Sequence, residues 1–272
     1  MKKWIVLIAV VIGFGTILGG CGGSSKSGIS EDKEIRIGVT PGPHAQVVED
    51  VKKRAEKEGL KIRIVEFSDY VQPNVALSQG EIDINIFQHK PYLDNMVADR
   101  GLKIVPVGNS ILLPMAIYSK KDGVKTVADI PEGATIGIPN DPSNEGRALL
   151  LAESLGLIKL KDSKNLKATP KDIVENPKNF KFKELDAAQI PQSLKDLDAA
   201  IINSNYALPA GLNPQKGSLA VEKNESPYAN VIVVQEKEKD NPVVKKFVKI
   251  YQSEATKKFI QDTFSGSILP AW

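Results

Sequence analysis

From Glu34 onward, short runs rich in β-branched residues alternate with stretches whose apolar residues recur at helical spacing. No other feature restricts the fold as much. IRIGV (35–39) alternates apolar and other residues as a strand does, and the stretch 44–59 places Val47, Val48, Val51 and Ala55 on one helical face before stopping at Gly59. KIRIVEF (61–67) predicts the next strand, a short proline-started helix ends at Gly80, and DINIF (83–87) predicts a third strand. A helix over about Lys90–Arg100, stopped by Gly101, then leads to KIVPVG and PMAIYSK. Strand, helix, strand in succession requires parallel pairing through right-handed crossovers, so the fold class is α/β.

The pattern restarts at ATIGIP (134–139). A helix follows, then TPKDIVENP with Thr169 as N-cap and Pro170 at the first helical position, FKFKEL, a helix to about Leu197, and AAIIN (199–203). NVIVVQE (230–236) reads as a strand that returns to the first unit, and two amphipathic helices start from Asn241 and Ser253. The expected organisation is two α/β lobes, 34–119 plus 231–272 and 120–230. Ligands of open α/β sheets bind beyond the carboxyl ends of the strands, so a cleft between the lobes would surround one ligand with both sets of strand ends.

Polar and aromatic residues fall at those ends, in EFSDYVQPN (66–74), IFQHKPYLD (86–94), PNDPSNEGR (139–147), NSNYA (203–207) and SPYAN (226–230). Arg147 offers a planar fork that fits a carboxylate, next to a helix start expected to be capped by Asp141. Gly146 beside it either leaves room for a ligand or serves helix packing, and Arg147 is equally readable as a solvated surface residue. Asn203 and Asn230 can both donate and accept, which suits a zwitterion, or they cap turns. Tyr70, Phe87 and Tyr92 suit either an apolar pocket or a core. His89 reads as a pocket wall or as a helix-start residue satisfied by backbone. With His44 as the one other histidine and Cys21 the single cysteine, no metal site or cofactor is expected. No G-x-S-x-G supports a hydrolase, and no enzyme is expected.

Residues 1–20 run from Lys2 and Lys3 through an apolar stretch, Trp4–Leu18, to two glycines ahead of Cys21. This is the layout of a secretory signal peptide, too short for a comfortable bilayer span of ~20 apolar residues. LGGC is similar to the lipobox of bacterial lipoproteins, which implies lipidation of Cys21 and an extracytoplasmic protein anchored to the membrane. Residues 21–33, rich in Gly, Ser and charge, read as a flexible tether. The net charge is +3, two units of it from Lys2 and Lys3, so no basic face for nucleic acid is expected.

Taken together, FSDYVQPN, NIFQHKPYLD, IPNDPSNEGRALLL, KDIVENP, NYA and SPYAN resemble the methionine-binding lipoprotein family (MetQ/NlpA) of bacterial ABC importers, over about residues 34–272. The resemblance implies a two-lobe periplasmic-binding-protein fold of the type 2 class, closing on L-methionine and delivering it to a membrane permease driven by an ATPase. It further implies that Arg147 holds the ligand carboxylate, that Asn203 and Asn230 bind its backbone groups, and that Tyr70, Phe87, His89 and Tyr92 surround the thioether. Asn144, beside the helix start, is a further candidate. Ile111, Leu112 and Leu113 stand where many relatives are expected to carry a polar or aromatic residue, which bears on the side-chain pocket. The same role for a methionine derivative, a methionine-containing dipeptide or another small amino acid stays open, as does a surface lipoprotein without transport. A monomer is expected.

Overall fold

The computed structural model describes residues 28–223 and 227–272. The signal peptide and Cys21 lie outside the described residues. Two five-stranded sheets organise the chain. In the first, the strands Glu34–Val39, Lys61–Glu66 and Ile84–His89 pair in parallel, and Asn230–Gln235 runs antiparallel between Ile84–His89 and Ile104–Asn109. In the second, Thr135–Pro139 pairs in parallel with Lys181–Leu185 and Ala199–Ile202, and the antiparallel strands Ala116–Tyr118 and Ala220–Val221 close one edge.

Side-chain alternation assigns each strand's two faces to two cores. Ile35, Ile37 and Val39, with Ile232 and Val234, pack against Val47, Val48 and Val51 and against Phe247 and Tyr251. Val231 and Val233 point the other way, onto Ala76, Leu77 and Leu93. In the second lobe Ile136, Ile138 and Ile201 pack on Ala148, Leu149 and Ala152, while Ala200 and Ile202 pack on Ile190 and Leu194. The central strands Ile84–His89, Ala199–Ile202 and Asn230–Gln235 are covered on both sides, which explains their nearly unbroken apolar runs, while the outer strands Lys61–Glu66 and Lys181–Leu185 expose charged residues.

Most helices start and stop where the punctuation predicts, but Thr169 and Pro170 start only a 3-10 turn, Pro170–Asp172, and Ile173–Glu175 continues as a strand paired with Lys159–Leu160. Asp141, Asn241 and Ser253 cap Pro142–Ser154, Pro242–Tyr251 and Glu254–Phe264 with their side chains. Gly80 and Gly101 end their helices at φ +76° and +63°, a conformation glycine adopts without a side-chain clash.

Two expectations need correction. Ala116–Tyr118 hydrogen-bonds in the second sheet, so the chain leaves the first lobe before residue 116 and not near 120. At the other crossing Asn230 already pairs with His89 in the first sheet. The expected tether is also too long. Ile29 packs on the first core, its carbonyl accepts from Asn241 Nδ2 at 2.8 Å, and Glu31 pairs with Lys246 at 2.8 Å. One apolar side chain and the half-buried cap Asn241 suffice to dock residues that composition alone assigns to a linker.

Candidate functional site

The carboxyl ends of the strands meet in a cavity between the lobes. Tyr70, Phe87, His89, Tyr92, Asn144, Arg147, Asn203 and Asn230 all line it, together with His44, Gln88, Leu113, Ser204 and Asn205. Of the three departures in ILL, only Leu113 reaches the wall; Ile111 belongs to the first core.

Two histidines come from the first lobe, both neutral and each held in one tautomer. His89 ends its strand and caps the helix Lys90–Arg100: its Nδ1 accepts from Tyr92 N at 3.2 Å, which leaves Nε2–H to donate to Asn144 Oδ1 at 3.0 Å. Burial, and then the charge of Arg147, push its pKa down to about 3. His44 sits between Thr40 Oγ1 at 2.9 Å and Asn230 Oδ1 at 3.2 Å, and burial takes it down to about 4. A bulge between Asn230 and Ile232 brings Asn230 opposite His89 at the strand ends.

Tyr70, Phe87 and Tyr92 form one wall, with ring centroids 5.7–6.2 Å apart. Behind Gln88, Asn74 and Asn85 complete a buried amide cluster with bonds of 2.6–3.0 Å. Its donors and acceptors satisfy one another, so Gln88 is fixed before any ligand arrives.

From the second lobe, Asn144 Oδ1 accepts from both His89 Nε2 and Asn203 Nδ2, the latter at 2.7 Å. It thereby ties the lobes across the cleft. Asn203 Oδ1 is buried and has no hydrogen-bond partner, a costly state for an amide oxygen that lines a cavity. Further cross-cleft bonds run from Tyr70 Oη to Asn205 Oδ1 at 2.6 Å, from Asn205 Nδ2 to Thr40 Oγ1 at 3.3 Å, and from Tyr206 Oη to Ser68 O at 3.2 Å. The cleft is described in its closed form.

Arg147 is 3% exposed and is not a solvated surface residue. Its Nε and Nη2 grip Glu222 at 3.0 and 2.5 Å, Nη2 also donates to Leu113 O at 2.8 Å, and the Tyr228 ring lies 4.4 Å from Cζ. The remaining nitrogen, Nη1, is engaged by neither Glu222 nor Leu113. Glu222 was missed in the sequence because it stands alone in a polar run with no periodicity. The edge pairing of Ala220–Val221 with Ala116–Ile117 carries it to Arg147, with Met115 N donating to its Oε2 at 3.1 Å.

The helix start beside Arg147 is not an open anion site. Asp141 Oδ1 takes Asn144 N at 3.0 Å and Oδ2 takes Asn144 Nδ2 at 2.8 Å. Nor does Gly146 make room for a ligand. A Cβ there would lie 2.4 Å from Leu166 O and 2.9 Å from Ala168 N, so its role is close packing of the helix on the 166–168 backbone.

The sequence and the fold are similar to those of known proteins. The family model for NlpA lipoprotein matches residues 35–272. The D-methionine-binding lipoprotein MetQ of Yersinia pestis is 48% identical, across 99% of this chain and 98% of its own. A nutrient-binding protein of Burkholderia cenocepacia, solved bound to methionine, superposes with a TM-score of 0.84 at 51% identity, covering 88% of this chain and all of that one. An ABC-transporter periplasmic substrate-binding protein of Coxiella burnetii superposes at 0.83 with 45% identity, covering 87% and 100%. The chain therefore belongs to the NlpA lipoprotein family.

Proposed function

We propose that the protein is an extracytoplasmic, lipid-anchored substrate-binding protein that captures methionine in this cleft and hands it to an ABC importer. The observation that carries the reading is the pairing, in one closed cavity, of a buried Arg147 with the unpartnered Oδ1 of Asn203, facing an aromatic wall. A guanidinium corner suits a carboxylate and an orphan amide oxygen suits an ammonium. Tyr70, Phe87 and Tyr92 suit a flexible thioether, since sulfur and aromatic rings attract each other. Asn230, held by His44, supplies a further amide to the same end of the ligand. The names of the relatives and the methionine-bound neighbour support the same ligand.

The groups on the wall bind and orient; none is paired as nucleophile and base, and the role proposed is capture without chemistry. Anchoring through Cys21 and handover to a permease and its ATPase follow from the leader sequence and from the transporter context of the relatives.

Titration calorimetry of protein freed of ligand by unfolding and refolding tests this. L-methionine or D-methionine should bind one to one, and more tightly than leucine or a methionyl dipeptide. Equal binding of leucine would remove the thioether assignment, and no binding of either methionine enantiomer would remove the proposal.

A further inference from the structure

We propose that Glu222, which does not touch the ligand, sets the net charge of the ligand that the cleft accepts. This rests on the reading of the cleft as an amino-acid site. Among the described residues lining the cavity, Arg147 is the only one that carries a charge, because both histidines are held neutral by burial. Glu222 stands behind Arg147, outside the cavity wall, and takes two of the guanidinium's three nitrogens. Met115 N donates to the same carboxylate, and Glu222 N donates to Met115 O at 2.8 Å, so strand pairing holds the carboxylate there. Asp141, half-buried at the nearby helix start, is bound by Asn144 and Ser143.

Arg147 and Glu222 thus sum to zero in a water-poor site, where an uncompensated charge is costly. A ligand that carries both a carboxylate and an ammonium leaves that balance intact. One that carries only the carboxylate adds a net negative charge close to Glu222, and one that carries only the ammonium adds a net positive charge close to Arg147. Rejection of both is selectivity by unfavourable charge and not by shape.

The test uses three ligands of one shape: methionine, 4-(methylthio)butanoate, which lacks the amino group, and methioninol, which lacks the carboxylate. Dissociation constants are measured for the wild type, Glu222→Gln and Glu222→Asp, with thermal melting as a check on folding. In Glu222→Gln the site gains a net positive charge. The preference for methionine over 4-(methylthio)butanoate should shrink by roughly tenfold or more, and the preference over methioninol should grow. Glu222→Asp keeps the charge and shortens the arm, so all three ligands should weaken by a common factor and the preferences should stay.

If Glu222→Gln weakens all three ligands equally, Glu222 merely props Arg147 and the inference is wrong. If Glu222→Asp changes the preferences as Glu222→Gln does, geometry and not charge is responsible, and the inference is again wrong. Failure of the underlying reading looks different: the wild type then binds none of the three.

Discussion

Asn203 and Arg147 show how a single side chain can be poised for a partner. The Oδ1 of Asn203 is buried without a hydrogen bond while its Nδ2 is engaged, a desolvation cost that a ligand ammonium would remove. Asn203→Ala should therefore weaken methionine binding by roughly ten- to a hundredfold in calorimetry, while changing the stability of the ligand-free protein by no more than about 1 kcal/mol. A large loss of stability with affinity intact would make Asn203 a structural residue. Arg147→Ala should behave differently. It removes the guanidinium that Glu222 pairs with and, on the proposed reading, the partner of the ligand carboxylate, so unfolding in denaturant should show a loss of about 3 kcal/mol alongside the loss of binding. Adding Glu222→Ala should restore part of the stability and none of the affinity. Arg147, Asn203 and the aromatic residues were legible in the sequence because strand-end position and residue chemistry coincide there. Glu222 was not, since its role depends on a two-residue edge strand that leaves no periodic signal.

At the scale of elements, the helix Pro142–Ser154 separates local from long-range information. Its cap at Asp141, its proline start and its apolar face could be read directly, because each is set by neighbours in sequence. The function of Gly146 could not, because the backbone it meets, at Leu166 and Ala168, is a loop some twenty residues on. Gly146→Ala should cost about 1–3 kcal/mol by overpacking against that loop, measured by denaturation, with methionine affinity unchanged once the protein is folded. An affinity loss at undiminished stability would return Gly146 to the ligand site. The same distinction explains the boundary at Ala116–Tyr118: the run is plainly a strand, but which sheet it joins is decided by partners 82–86 and 103–105 residues later.

At the scale of the whole molecule, His44 and His89 are buried as neutral rings in the cleft's first-lobe wall, and folding becomes linked to pH. Their folded pKa values, about 4 and about 3, lie below the ordinary 6.5, so the unfolded chain binds more protons between those limits. Stability should be full above pH 6.5 and fall as pH drops toward 4, by up to about 1.4 kcal/mol per pH unit for each proton taken up. Glu145 works the other way: burial, and then the nearby Glu184, raise it to about 7, so protonation on acidification favours the fold. Glu145→Gln should accordingly steepen the acid-side fall in denaturation profiles between pH 6.5 and 4.5, and a flat profile in that variant would contradict the neutral-histidine assignment. The two-lobe plan was legible from alternation and strand-end chemistry, whereas closure was not, since Tyr70, Asn144, Asn205 and Tyr206 bridge the lobes over separations that no local pattern encodes. The central claim, that this closed cleft is built around methionine, is tested most directly by mass spectrometry of the small molecule released when protein beginning after Cys21, purified without added amino acids, is denatured. Methionine released at about one per chain is the predicted result; a different molecule at that stoichiometry, from protein that then fails to bind methionine after refolding, would contradict the account.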